Sequence, residues 1–262
     1  MGTHHSLHAL VVDDSAPNRK VAEGMLAHLG CAVATAATGQ EALDRLAAQR
    51  TDVVFIDLRM SGMDGFELTR RILESIPVPI RPRLIALTGS CAEGERDRCL
   101  AVGFDDYLEK PFGLAVLASV IKPLLNSDPP SQTTAELTVP SPPDSNQNPA
   151  FDRRNLDSLG SAAGVDSVTE WIDMFLRDAS NLLAEIWLDL EGNRPAHAAD
   201  RLHCLKGSAS TIGGIGLAAM AREAETRVLS GTVSSWSGIR PGLESELDAL
   251  QSYLKKEFEH RK

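Results

Sequence analysis

Hydrophobic and polar positions follow two different rhythms along the 262 residues. Up to about residue 125, short apolar runs that end in polar residues are separated by amphipathic stretches. The runs at 7–12 (LHALVV), 31–36, 51–57 (TDVVFID), 83–88 (RLIALT) and 104–108 read as buried strands. Between them Val21, Met25, Leu26 and Leu29 recur at helical spacing and stop at Gly30. A helix from Thr38 to Ala48 carries a capping box in Thr38 and Glu41, and further helices are predicted over about 65–75, 92–101 and 114–125. Strands alternating with helices predict an α/β fold, a five-stranded parallel doubly wound sheet covered on both faces.

From Asn155 onward the rhythm is helical throughout. Val168, Trp171, Ile172, Phe175, Leu176, Leu182, Leu183, Ile186 and Leu190 form one stripe that ends at Gly192-Asn193. A second helix starts near Pro195, a third covers about 216–229 and a fourth about 241–258. Short connections make them antiparallel neighbours in an all-α four-helix bundle. The aromatics Trp171, Phe175 and Trp187 lie in the apolar stripe and read as core.

Between the halves, residues 126–150 hold six of the fourteen prolines, with no aromatic and no basic residue. Such a segment cannot bury a core and reads as a flexible tether. It would span roughly 25–30 Å and hold the halves at an effective concentration near millimolar. The expected organisation is therefore 1–125, tether 126–150, and 151–262.

The net charge of −10 is spread over both halves, so no region has the positive field that nucleic-acid binding needs. No apolar run approaches the roughly 20 residues of a membrane span, and no signal-peptide pattern opens the chain. Cys31, Cys91, Cys99 and Cys204 lack zinc-type spacing and read as reduced thiols of a cytoplasmic protein. His4, His5 and His8 read as a frayed terminus. Proteins are the expected partners, with no nucleic acid and no membrane insertion.

Sites in parallel α/β sheets form at the carboxyl ends of the strands. There the chain places Asp13 and Asp14 after the first run, Asp57 after the third, Thr88 after the fourth and Lys110 after the fifth. Three clustered carboxylates repel one another unless a hard divalent cation sits among them, and oxygen ligands favour Mg²⁺. With Lys110 neutralising phosphoryl oxygens, Asp57 can attack in line as a carboxylate nucleophile.

The motifs VVDDSAPNR (11–19), FIDLRMSGMDGFE (55–67), LIALTG (84–89) and DDYLEKPF (105–112) resemble the flavodoxin-like receiver domain of two-component response regulators. The resemblance implies Asp57 as phosphoacceptor, Asp14 as a direct Mg²⁺ ligand, Asp13 as a ligand through water, and the Arg59 carbonyl as a further ligand. It also implies Thr88 as switch hydroxyl, Tyr107 as switch aromatic, Lys110 as phosphate-binding lysine, and a cis Lys110-Pro111 peptide. Ser61 stands where the family usually has proline, which predicts a looser loop after Asp57.

The second half carries RLHCLKGSASTIGG at 201–214. On a helix, Leu202, Leu205, Ala209 and Ile212 share a stripe, and His203 lies about 140° away, facing water or a partner. Lys206 and Gly207 sit beside it one turn on, a cation and a bare backbone suited to holding a phosphoryl group. Cys204 points about 100° from His203, so no metal pair is expected. This segment resembles the phosphoacceptor motif of histidine-containing phosphotransfer (Hpt) domains over roughly 160–258. The resemblance implies His203 as the phosphorylated residue, Lys206 as phosphate-steadying cation and Gly207 as a clearing for a docking receiver.

Together the two resemblances imply a phosphorelay protein without a kinase ATP site. A sensor histidine kinase would stand upstream and another response-regulator receiver downstream. The alternatives are a non-transferring scaffold and the C-terminal fragment of a hybrid histidine kinase. A haloacid-dehalogenase-type hydrolase would need an aspartate where Arg59 stands, and a DNA-binding regulator would need a basic recognition helix.

Overall fold

The computed structural model describes residues 6–89, 95–125, 151–152, 156–157, 160, 165–231 and 238–259. The expected tether, 126–150, lies outside the described residues, as do Cys91, His4 and His5.

Five strands, β1 (His8–Val12), β2 (Ala32–Ala36), β3 (Val53–Asp57), β4 (Arg83–Thr88) and β5 (Asp106–Glu109), pair in parallel in the order β2-β1-β3-β4-β5. They alternate with helices α1 (Ala16–His28), α2 (Gly39–Ala48), α3 (Gly65–Ser75), α4 (Glu95–Val102) and α5 (Leu114–Leu125). This is the predicted doubly wound sheet. Strand side chains point to opposite faces in alternation. Leu10, Val12, Val54, Ile56, Leu84 and Ala86 fill one face, while Val11, Phe55, Ile85 and Leu87 fill the other.

Local chemistry fixes the helix starts. Ser15 caps α1 at the Asn18 amide, and Pro17 occupies the first turn, so α1 begins earlier than its apolar spacing indicated. Thr38 accepts from the Glu41 amide, and Glu41 reaches back to the Ala37 amide at 2.8 Å. Strand β5 starts later than expected, because Phe104 turns onto Phe66, edge to face, with ring centres 6.2 Å apart.

The second half consists of α6 (Val165–Glu191), α7 (Pro195–Thr211), α8 (Ile215–Ser230) and α9 (Arg240–Glu259). They pack α6 on α7, α7 on α8, α8 on α9 and α9 on α6, which closes a four-helix bundle. Phe151 packs its ring on that of Tyr253 in α9, 4.3 Å between centres. Helix α8 ends at Gly231, whose φ of +64° is the left-handed cap glycine favours.

The halves pack against each other. Helix α1 lies on α6 and α7, and the apolar layer beneath α1 (Val21, Met25) continues into Trp171 and Phe175 of the bundle. Among the described residues, no helix is long and apolar enough to cross a membrane.

Candidate functional site

Strand register gathers the polar residues. Val12 pairs with Ile56, Asp57 with Leu87 and Thr88 with Glu109, so the strand ends are level. Between β1 and β3 the chain order reverses, and a crevice opens there. Carboxylate oxygens of Asp13, Asp14 and Asp57 lie within 4.8 Å of one another.

Lys110 binds two of these carboxylates. Its Nζ donates to Asp13 Oδ2 at 2.6 Å and to Asp57 Oδ2 at 2.7 Å. All three side chains are buried. Asp13 Oδ1 accepts from the Ser15 amide at 2.8 Å, and Arg19 donates to the Asp13 carbonyl. Burial pushes the Asp13 carboxyl up to about 6, opposed by the Lys110 charge and reinforced by repulsion from Asp57. Lys110 is pushed upward, because the two carboxylates outweigh its desolvation. One ammonium thus serves a site with room for more positive charge. An all-oxygen donor set of three carboxylates fits a hard divalent cation such as Mg²⁺.

The loop after β3 differs from expectation. Ser61 donates to Asp14 Oδ2 twice, from its amide at 2.9 Å and its hydroxyl at 3.1 Å. Proline would lack the amide hydrogen and the hydroxyl. Serine ties the loop to Asp14 where the sequence predicted looseness. The Arg59 amide donates to Asp57 Oδ1 at 3.2 Å. Thr88, buried at the end of β4, donates to Glu95 Oε2 at 2.9 Å. Tyr107 is half-buried, with the Arg96 guanidinium 5.7 Å from its ring centre. The Lys110-Pro111 peptide is cis.

On α7 the expected stripe is in place, with Leu202, Leu205, Ala209 and Ile212 buried. His203 points away from it, but open solvent is not what it meets: its side chain is only 15% exposed. Its Nδ1 lies 2.9 Å from Glu225 Oε1 on α8. Lys206 Nζ donates to Glu225 Oε2 at 3.0 Å, and Arg59 Nη1 donates to Glu225 Oε1 at 2.8 Å. Arg59 and Lys206 also approach Nδ1, at 3.2 and 3.0 Å. One ring nitrogen cannot bond all three groups. The consistent assignment has Nδ1–H donating to Glu225, with both cations on the same carboxylate. Although burial opposes it, the His203 hydrogen bond and the Lys206 contact bring the Glu225 carboxyl down to about 2. Nε2 is then the ring nitrogen that keeps its lone pair.

Sequence reasoning missed Glu225 and the Arg59 side chain. Glu225 could have been found, since it is a lone carboxylate on the buried α8 face of Leu217, Ala218, Ala221, Ala224 and Val228. The reach of Arg59 across the halves has no sequence signal. Gly207 faces α1, where an added Cβ would lie 3.7 Å from Asn18 Nδ2. Thr211 one turn on donates to Asn18 Oδ1 at 3.1 Å. Cys204 donates weakly to Asp14 Oδ1 at 3.5 Å, and burial beside the acidic cluster pushes its thiol upward. A cavity of about 350 Å³ lies between the halves, lined by Asp14, Arg59 and Ser61 on one side and His203, Cys204 and Glu225 on the other.

Residues 9–122 match the sequence profile of the response regulator receiver domain, and residues 170–253 that of the Hpt domain. The chain joins a receiver to an Hpt domain. It is 26% identical over 208 residues to the aerobic respiration control sensor protein ArcB of Escherichia coli, covering 79% of this chain and 26% of that protein. It is 28% identical over 270 residues to the virulence sensor protein BvgS of Bordetella bronchiseptica, covering 98% of this chain and 21% of that protein. The receiver–Hpt chain thus spans about a quarter or less of the length of these curated relatives. One similar solved structure is the receiver domain of a Pseudomonas aeruginosa sensor histidine kinase with magnesium in its cleft, 35% identical. That likeness covers 47% of this chain and 99% of that one, at a TM-score of 0.42. Another is the Vibrio cholerae chemotaxis protein CheY4, 31% identical, covering 45% and 97%, also at 0.42.

Proposed function

We propose that this protein is a phosphorelay intermediate that accepts a phosphoryl group on Asp57 and passes it to His203. From there it would go to an aspartate on a further receiver. The observation that carries this reading is the shared cavity, which has His203 on one wall and, on the other, Asp14, whose carboxylate lies within 4.8 Å of those of Asp13 and Asp57. The upstream donor would be a sensor histidine kinase, the downstream acceptor another response regulator, and the compartment the cytoplasm. Residues 1–125 would act as receiver, 126–150 as tether and 151–262 as Hpt domain.

The chemistry follows from the groups present. An Asp57 oxygen forms the new P–O bond as the donor's bond to phosphorus breaks, giving an acyl phosphate. Lys110, already on Asp57, follows the charge onto the phosphoryl oxygens, and Thr88 would exchange Glu95 for one of them. Asp13, Asp14, Asp57 and the Arg59 carbonyl would hold Mg²⁺, which when bound supplies further positive charge against the phosphoryl group. Tyr107 would move with Thr88 as the switch. In the second transfer the Nε2 lone pair forms the P–N bond, and the P–O electron pair returns to Asp57. The Nδ1 proton stays on the ring, where Glu225 balances the imidazolium charge, and Lys206 is placed to receive the phosphoryl oxygens.

A radiolabelled small phosphodonor with Mg²⁺ tests this. Base-labile label should appear on Asp57, followed by acid-labile, base-stable label on His203. Asp57→Asn should lose both signals and His203→Gln only the second. Label on His203 of Asp57→Asn, or none on His203 of the unaltered chain, would refute the relay and leave a scaffold.

A further inference from the structure

We propose that the Arg59 side chain is the specificity-determining contact by which this receiver selects its own Hpt domain. The proposal rests on the relay reading above and adds the partner choice. Arg59 stands two residues after Asp57, and its side chain is 60% exposed, projecting out of the receiver. Its Nη1 meets Glu225 Oε1 at 2.8 Å, on a glutamate side chain only 8% exposed, and comes within 3.2 Å of His203 Nδ1. This ion pair joins the two halves at close range, and Arg19 of α1 and Asp178 of α6 attract each other across the same interface.

The remaining cross-domain contacts discriminate weakly. They include an apolar layer shared by Val21, Met25, Trp171 and Phe175, the Asn18–Thr211 hydrogen bond, the weak Cys204 donor to Asp14 and the Arg19–Asp178 attraction. A charge-assisted hydrogen bond to a buried carboxylate is different: a partner lacking a cation there leaves the carboxylate short of one donor, and an anion there is repelled. A lysine there keeps the positive charge but lacks the fixed, planar donor geometry of the guanidinium. Because Arg59 stands on the loop that directly follows Asp57 at the end of β3, gripping Glu225 brings the His203 ring to the mouth of the phosphoacceptor cleft. A foreign receiver must displace this contact to reach the same ring.

The test uses the full chain, with Arg59→Glu and Arg59→Lys. Asp57 is labelled with a small phosphodonor and Mg²⁺, and the His203 label relative to the Asp57 label is followed over a wide range of chain concentrations. In the unaltered chain the transfer rate should not depend on concentration. Arg59→Glu should slow it about tenfold, the loss of one charge-assisted hydrogen bond, and make it concentration-dependent. Arg59→Lys should recover most of the rate. Hydrogen exchange of unphosphorylated chains reads docking without chemistry: Arg59→Glu should speed exchange in 195–211 and leave the strands unchanged. If no label reaches His203 in the unaltered chain, the relay reading falls, and this proposal with it. If label reaches His203 equally fast in Arg59→Glu, or Lys is no better than Glu, the Arg59 assignment alone is overturned.

Discussion

Gly24 of α1 lies directly beneath the ring of Trp171 in α6, so close that a Cβ on it would stand 2.5 Å from Cζ2 and 2.7 Å from Cη2. Trp171 is buried, with little space for the ring to retreat. The missing side chain lets a receiver helix and a bundle helix touch. Gly24→Leu should therefore drive the halves apart while each stays folded, since overpacking costs about 1–3 kcal/mol and undocking relieves it. Small-angle scattering should show a larger radius of gyration, and Trp171 emission should shift to longer wavelength. An unchanged radius with normal stability would mean the ring accommodates the extra atoms.

Ser61 supplies two donors to Asp14, and their removal should be felt by the cation. Ser61→Pro deletes both, leaving Asp14 less firmly oriented, and Mg²⁺ affinity measured by calorimetry should fall by about tenfold. Ser61→Ala keeps the amide donor and should lose less. Equal affinities in all three proteins would remove Ser61 from the site.

The metal-free receiver should become more stable on mild acidification. Asp13 has a folded pKa of about 6 against an ordinary 3.8, so the folded form holds the proton more tightly. Folding is therefore favoured as pH falls through 6 toward 4, by up to about 3 kcal/mol, and the gain then levels off. Asp57→Asn removes a repelling charge and should flatten this profile, as should saturating Mg²⁺. Urea midpoints between pH 7 and pH 4 measure it; a midpoint that falls steadily over that range contradicts the assignment.

Glu225 should behave in the opposite sense. Its folded pKa of about 2 lies below the ordinary 4.5, so its contribution is complete above 4.5 and disappears as pH falls toward 2. Glu225→Gln should destabilise the bundle at pH 7 by at most about 3 kcal/mol, with the gap to the unaltered chain closing between those two values. A gap that persists undiminished near pH 2 would show that packing, not charge, is what the substitution removes. The same variant should slow transfer to His203.

The legible part of this protein was local. Runs such as VVFID and RLIALT can only be buried strands, and strands separated by helices can only return parallel, so Asp13, Asp14, Asp57, Thr88 and Lys110 were bound to meet at one rim. The α7 stripe likewise turned His203 away from the buried face of Leu202, Leu205, Ala209 and Ile212. Those placements depend on periodicities of two and 3.6 residues, which a sequence displays directly.

What lies across the halves was set by packing alone. Side-chain spacing showed His203 leaving the core, but only the docking of α1 on α6 and α7 decided that the ring would meet Arg59 instead of water. Ser61 looked like a lost proline until its amide and hydroxyl were seen on Asp14, 47 residues away. Glu225 became a hub because residues far apart in the chain, Arg59, His203 and Lys206, converge on one carboxylate. Periodicity dictates which face a residue takes on its own element; which foreign group waits opposite depends on surface complementarity between elements, and that is decided only when they pack.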